Sequence, residues 1–123
     1  MKSGDLGLLL LGVALNAGAQ LGLKSATAAT GPIRTGGAQL WDAALRIAVV
    51  PAFWMALAAY GLSVVVWVVG LSRVPVSQAY PLLSLGYVLA AVLAWLLLGE
   101  SLPWLRMAGI GVIIIGVYMV ARS

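Results

Sequence analysis

Three polar side chains recur at helical intervals in the first apolar segment: Asn16, Gln20 and Lys24. Residues at i, i+4 and i+8 lie on one side of a helix, so two amides and one ammonium would form a single stripe. Amides in an apolar helix often hydrogen-bond to neighbouring helices and serve only packing. Alternatively, the stripe faces a cavity and contacts the polar part of a bound molecule. The alignment of Lys24 with both amides favours this second interpretation.

A second polar stripe is made of hydroxyl groups at Tyr80, Ser84 and Tyr87, spaced i, i+4, i+7. Pro81 lies inside this stripe, removes one backbone hydrogen bond and leaves the Ser77 carbonyl without its helical donor. A kink and a row of hydroxyls within an apolar segment indicate a polar path through it. A kink without function is the alternative.

A third face carries Tyr60, Ser63 and Trp67, spaced i, i+3, i+7. Aromatic side chains are common on apolar helices, and a packing or interfacial role explains this set most simply. The alternative is that these residues wall the same cavity as Tyr80.

The elements that would position these residues are membrane-spanning helices. Of 123 residues, 63% are hydrophobic and 8% charged, with a mean hydropathy of +1.11. This is too apolar for an ordinary soluble domain, and a spanning helix needs roughly 20 apolar residues. We therefore expect an all-α membrane protein with a single transmembrane domain over residues 1–123, whose four helices cover about 6–24, 47–71, 75–98 and 103–121.

The residue types that are missing exclude several functions. The sequence has no His and no Cys, so thiolate and imidazole chemistry and the corresponding metal ligands are unavailable. It has no P-loop signature, and its three carboxylates, Asp5, Asp42 and Glu100, fall at or beyond predicted helix ends. We expect no enzyme activity, no cofactor, no metal and, because the cations are scattered singly, no nucleic-acid partner.

The connections between helices carry a few further signals. In the long connection of residues 25–45, residues 39–46 could form a short interfacial helix with Trp41 at headgroup depth and Asp42 and Arg46 at i, i+4. Glu100 is expected to cap the N-terminus of the last helix. Gly109 and Gly116 share a face of that helix and predict a packing or dimerisation seam.

The cations give almost no preferred orientation. With four spans, both termini lie on one side, and the seven Lys and Arg residues divide almost evenly between the two sides. Four helices do not easily enclose a solute pathway, so a transporter of this size implies at least a dimer. Insertion in both orientations, giving an antiparallel pair, is one hypothesis; a partner that fixes the orientation is the other. The cations are Lys2, Arg73 and Arg122 against Lys24, Arg34, Arg46 and Arg106.

Several of these segments resemble a known family. The sequence is similar to the small multidrug resistance branch of the drug/metabolite transporter superfamily (EamA-like), and within it to small subunits proposed to flip 4-amino-4-deoxy-L-arabinose-phosphoundecaprenol. The resemblance covers most of the chain and is weakest over residues 25–45. The matching segments are Ala17-Gly18-Ala19-Gln20-Leu21 with Lys24, Val74-Pro75-Val76, Ala79-Tyr80-Pro81-Leu82-Leu83-Ser84-Leu85 and Gly99-Glu100.

The multidrug members of this branch carry a membrane-embedded Glu in the first helix that exchanges protons for a cationic drug. Counting back from Lys24, the corresponding position here is Asn16. An amide does not titrate, so it does not couple cargo to protons by that route. The resemblance thus disfavours proton-coupled cation export.

The resemblance implies a flippase subunit that moves an undecaprenyl-phosphate-linked sugar across the bacterial inner membrane, for lipid A modification and polymyxin resistance. It also implies a homodimer, or a heterodimer with a paralogous four-helix subunit. Asn16, Gln20, Tyr80 and Ser84 would then hydrogen-bond the headgroup and Lys24 would pair with its phosphate, while the polyprenyl tail stays in the lipid bilayer. Two alternatives remain: a small-cation or metabolite exporter, and a non-transporting membrane subunit that stabilises a partner.

Overall fold

Helices make up most of the structure, a computed structural model that describes residues 2–123. Two 3-10 turns lie at Thr27–Ala29 and Tyr80–Leu82. The α-helices are α1 (Ser3–Ala26), α2 (Gly37–Ala48), α3 (Pro51–Leu71), α4 (Val76–Ala79), α5 (Leu83–Leu97) and α6 (Trp104–Arg122).

Four helical stretches in the described chain are long and apolar enough to cross a membrane. This confirms the predicted all-α class with four membrane-spanning helices. In the third stretch, α4, the second 3-10 turn and α5 follow one another without a break, and Pro81 lies in the 3-10 turn. The spanning stretches are Ser3–Ala29, Pro51–Leu71, Val76–Leu97 and Trp104–Arg122.

The second spanning helix begins at Pro51, whereas the sequence suggested Ile47. Val50 is extended, with φ −89° and ψ 116°, as expected for a residue before proline, and Pro51 takes a first-turn position of α3. Ile47 instead belongs to α2, the expected interfacial helix. The Trp54 indole nitrogen donates a hydrogen bond to the Ala48 carbonyl at 2.7 Å and ties α3 to the end of α2.

The most extensive contact between helices is that of α1 with α3. Glycines at several levels of this contact permit α1 and α3 to approach each other closely. A Cβ on Gly22 would lie 2.8 Å from the Ala56 Cβ, and one on Gly70 would overlap the Leu9 side chain. A Cβ on Gly12 would lie 3.6 Å from the Ser63 carbonyl oxygen. The two helices therefore pack as one unit.

A connected cluster of buried apolar residues lies in the half of the molecule nearest the chain termini. It consists of Leu9, Val74, Ala79, Leu82 and Val117. Polar contacts occur at the same end: the Asp5 carboxylate lies 3.7 Å from the Arg73 guanidinium, and the Gln78 amide nitrogen lies 3.4 Å from the Ala121 carbonyl oxygen. In the opposite half the buried apolar residues are small ones, Ala19, Ala26, Ala43 and Ala56, and α5 has no buried residue.

The glycine face of α6 is open. A Cβ added to Gly109 or Gly116 would meet no described atom within 4 Å. Val117 is the one residue of α6 that is buried. The dimerisation seam predicted for this face stays a prediction.

Candidate functional site

The first element of the site is an open cavity of about 400 Å³ between α1 and α5. Asn16 and Gln20 supply amides from α1, and Tyr87 supplies a hydroxyl from α5. A Cβ on Gly86 would lie 3.2 Å from the Val13 Cγ1, so the glycine lets α5 approach α1 at this level. The remaining lining is apolar: Val13, Ala17, Leu83 and Ala90.

A smaller cavity of about 180 Å³ opens on the other side of Asn16, between α1 and α3. Tyr60, Ser63 and Trp67 line it, so the third predicted face meets the first stripe at Asn16. Ser63 is 3% exposed, and its hydroxyl donates to the Tyr60 carbonyl at 2.6 Å. Ser63 therefore offers the cavity an acceptor and not a donor.

The α1–α5 cavity continues towards Lys24. A cavity of about 270 Å³ shares Gln20 and Ala90 with it and ends at Lys24 and Glu100. Those two charged residues also line an open space of about 740 Å³ next to the 27–33 loop. We call the two adjoining cavities between Asn16 and Lys24 the α1–α5 groove, and the wider space at its Lys24 end the vestibule. Its lining is Lys24, Ser25, Thr27, Ala28, Gly31, Pro32, Ile33, Leu98 and Glu100.

The polar groups of the groove are not used for packing. Within residues 2–123, the side chains of Asn16, Gln20 and Lys24 make no hydrogen bond or ion pair with the chain. Over the same range, no buried side-chain nitrogen or oxygen lacks a partner. The amides are therefore exposed to the groove, where water or a ligand can hydrogen-bond to them.

The second predicted stripe is divided by the structure. Tyr87 lines the groove, whereas Tyr80 and Ser84 line neither the groove nor the cavity beside Tyr60. Tyr80 lies in the 3-10 turn and is 63% exposed. Because a 3-10 turn has about 3.0 residues per turn, it rotates Tyr80 away from the α-helical phase of Tyr87.

Sequence reasoning missed the position of Glu100. The α6 N-terminus has no side-chain cap hydrogen bond, and its N-cap residue is Pro103. The Glu100 side chain lies at the vestibule instead. Gly99, with φ +70°, ends the third span in the left-handed region, and the Glu100 amide donates to the Ala94 carbonyl at 3.2 Å. The Gly99-Glu100 pair was the available signal, because a glycine stop sets where the next residue points.

Charge is confined to the end of the groove. Its inner part offers uncharged amides and a phenol, and its mouth offers one ammonium and one carboxylate. Among the described residues no cluster of three or more His, Cys, Asp or Glu could hold a metal ion. The arrangement suits a ligand with a polar, charged headgroup, and the cavity of about 400 Å³ and the vestibule of about 740 Å³ each fall in the volume range of small-molecule sites.

Comparisons with known proteins agree with this architecture. The EamA-like transporter family matches residues 33–122. A protein of Shewanella sediminis named "Probable 4-amino-4-deoxy-L-arabinose-phosphoundecaprenol flippase subunit ArnF" is 36% identical over 124 residues, covering 92% of this chain and 84% of the relative. A subunit ArnE of the same flippase name, from Salmonella paratyphi B, is 32% identical over 119 residues, covering 94% and 95%.

A shorter match is to the ArnF protein of Erwinia tasmaniensis, with 44% identity over 71 residues. It spans 56% of this chain and 56% of that relative, little more than half of each. No solved structure matches the chain. The family match covers most of the sequence and includes three of the four spanning stretches. The chain is therefore a multi-pass membrane protein that belongs to the EamA-like transporter family.

Proposed function

We propose that this chain is a subunit of a flippase that moves 4-amino-4-deoxy-L-arabinose-phosphoundecaprenol across the bacterial inner membrane. The lipid-linked sugar would then be available for lipid A modification, which underlies polymyxin resistance. The subunit transports this lipid without making or breaking a covalent bond. The names of relatives such as those of Shewanella sediminis and Salmonella paratyphi B support this cargo.

The observation that carries the proposal is the α1–α5 groove. It places the unpartnered amides of Asn16 and Gln20 in an open space that leads to the Lys24 ammonium. A sugar phosphate loses many hydrogen bonds to water when it enters a bilayer, and the groove replaces part of them. Lys24 is suited to the phosphate as a flexible, hydrated cation.

The lipid tail needs no cavity of its own. Large apolar side chains are exposed along the spanning helices, including Leu62, Val65 and Ile115. These surfaces face hydrocarbon in a membrane, so the undecaprenyl chain can lie against them while the headgroup moves along the open side of the groove. A laterally open groove fits a lipid cargo better than a closed channel does.

Proton-coupled cation export fits this site less well. Such exchange needs a carboxylate inside the membrane span that binds either the proton or the drug. The groove has the Asn16 amide at that level, and the carboxylate that lines it, Glu100, lies beyond the end of α5. We therefore place export of a small cation second.

We further propose that the working unit contains a second four-helix subunit, either a copy of this chain or a paralogue. The groove is an open space, and a Cβ added at Gly109 or Gly116 of α6 has no neighbour from another helix within 4 Å. A partner that packs on α6 would bury this face. Close helix contact through glycines is a common way for membrane helices to associate.

The proposal is tested by reconstitution into sealed vesicles, with and without a candidate paralogue, followed by measurement of how much sugar headgroup is accessible from each leaflet. We expect headgroup to equilibrate between leaflets in minutes when the active assembly is present and to stay in one leaflet in protein-free vesicles. Failure of both the single chain and the pair to equilibrate the headgroup would overturn the proposal.

A further inference from the structure

We propose that Glu100 recognises the ammonium group of the transported sugar while Lys24 pairs with its phosphate, so that the vestibule selects a zwitterionic headgroup. This assignment rests on the proposed function, because the headgroup chemistry comes from that cargo. It makes Glu100, which the sequence suggested as the N-cap of the last helix, a residue that determines specificity.

The first support is the position of the two charges. Lys24 ends the polar stripe of α1, and Glu100 lies in the connection between α5 and α6. Both line the outer part of the groove and also the vestibule. The site therefore offers one positive and one negative group, carried by different segments of the chain, in the lining of the same open space.

The second support is that Glu100 is left without a charged partner. The chain has three carboxylates. Asp42 pairs with Arg46 at 3.0 Å, and Asp5 pairs with Arg73 at 3.7 Å. No cation among residues 2–123 lies within ion-pair distance of Glu100, and Lys24 has no acidic partner in that range either. The nearby Arg106 donates instead to the Ser101 carbonyl at 3.2 Å.

The third support is the match in charge and size. A sugar joined to undecaprenol through one phosphate is a phosphodiester with a single negative charge, and a 4-amino group adds one positive charge near neutral pH. Lys24 and Glu100 provide the complementary pair, and the vestibule of about 740 Å³ leaves room for a headgroup between them. A phosphate-linked sugar without the amine would pair with Lys24 but form no ion pair with Glu100. Its affinity for the vestibule should therefore be lower than that of the aminated sugar.

The test compares two cargoes in vesicles that hold the complete flippase, matched for protein content: the undecaprenyl-phosphate-linked aminoarabinose and the same lipid with its amine N-acetylated, which removes the positive charge. Glu100→Gln should slow the aminated lipid about fivefold, the size expected for an exposed ion pair, and leave the acetylated lipid unchanged. Lys24→Gln should slow both lipids. Asp42→Asn is the matched control, because this exposed carboxylate lies outside the groove, and it should slow neither lipid.

Equal slowing of both lipids by Glu100→Gln would show a merely structural role and overturn the assignment, as would no effect on either lipid. The proposed function would remain in both cases, since the unsubstituted protein still moves the cargo. If the unsubstituted flippase moves neither lipid, the proposed function fails, and the assignment of Glu100 fails with it.

Discussion

Asn16 of α1 and Leu83 of α5 line the same two cavities, so the amide stands where the space between α1 and α5 meets the space between α1 and α3. No other polar side chain lines both cavities within the described chain. A headgroup in the α1–α5 groove would therefore contact Asn16 at the end of the groove farthest from Lys24. This position makes Asn16 the most informative residue for substitution.

Asn16→Leu should slow headgroup translocation between twofold and tenfold, the cost of about one hydrogen bond of roughly 0.5–1.5 kcal/mol. The melting temperature in detergent should stay the same, because the amide makes no hydrogen bond within the described chain. Gln78→Leu is the matched control: Gln78 bonds to the Ala121 carbonyl in the packed half, so this change should lower the melting temperature. An equal loss of stability in both variants would contradict a ligand-facing role for Asn16.

Gly22→Ala should destabilise the α1–α3 pair by about 1–3 kcal/mol, because its new Cβ would lie 2.8 Å from that of Ala56. Gly18→Ala is the control on the same helix, where a Cβ meets no described atom within 4 Å, and it should be neutral or slightly stabilising. Thermal unfolding in detergent measures both. Adding Ala56→Gly should restore much of the stability lost in Gly22→Ala; no recovery would mean that the two helices do not meet there.

The α2 helix should lie in the membrane interface with Leu40 towards lipid and Asp42 towards water. Because the sequence contains no cysteine, Leu40→Cys and Asp42→Cys each give a single thiol. The two residues have similar exposure in the protein alone, 51% for Leu40 and 60% for the Asp42 side chain. In vesicles, a water-soluble maleimide should therefore label Asp42→Cys faster than Leu40→Cys. In urea, the two variants should be labelled at similar rates. Equal labelling in vesicles would place α2 away from the bilayer.

A transmembrane pH gradient should leave the translocation rate unchanged, since the amide at the innermost point of the groove does not titrate. Asn16→Glu introduces a titratable group at that point and should make the rate respond to the gradient, while Asn16→Gln keeps the amide and should not. Headgroup accessibility in vesicles of equal and unequal internal pH measures this. Gradient-dependent transport by the unsubstituted protein would show that a titratable group other than the residue at position 16, such as Glu100 at the mouth of the groove, couples protons.

The sequence predicts the spanning helices well because their signals are local. Uncharged segments of sufficient length mark where helices can lie, and Pro103 marks where α6 begins. Pro51 proved to be the start of α3, where the sequence suggested Ile47. The stripe of α1 is also predictable, since a continuous helix keeps its period from Asn16 to Lys24. The short helix α2 was also expected from the sequence, and its location at the membrane interface stays a prediction.

What the sequence does not predict depends on contacts between segments or on a local change of helix type. Pro81 alone does not reveal that the turn at Tyr80 is 3-10, and this change separates Tyr80 from Tyr87. Glu100 and Lys24 line the same space because the 27–33 loop and the segment after α5 lie at the same end of the molecule. A residue in a connection has no period from which its neighbours can be inferred.

The asymmetry of the core has a mechanical consequence. The α1–α3 pair is close-packed from Leu9 to Gly22, and the connected cluster of buried residues contacts it at the Leu9 end. At 1.5 Å per residue, Lys24 lies ~22 Å along α1 from Leu9. Over this distance, a rotation of the α1–α3 pair by ~5° about the Leu9 end would move the Lys24 ammonium by ~2 Å relative to α5. The end of the α1–α3 pair near the termini is therefore its anchored end, and the charged mouth is where such a rotation would change the spacing between α1 and α5 most.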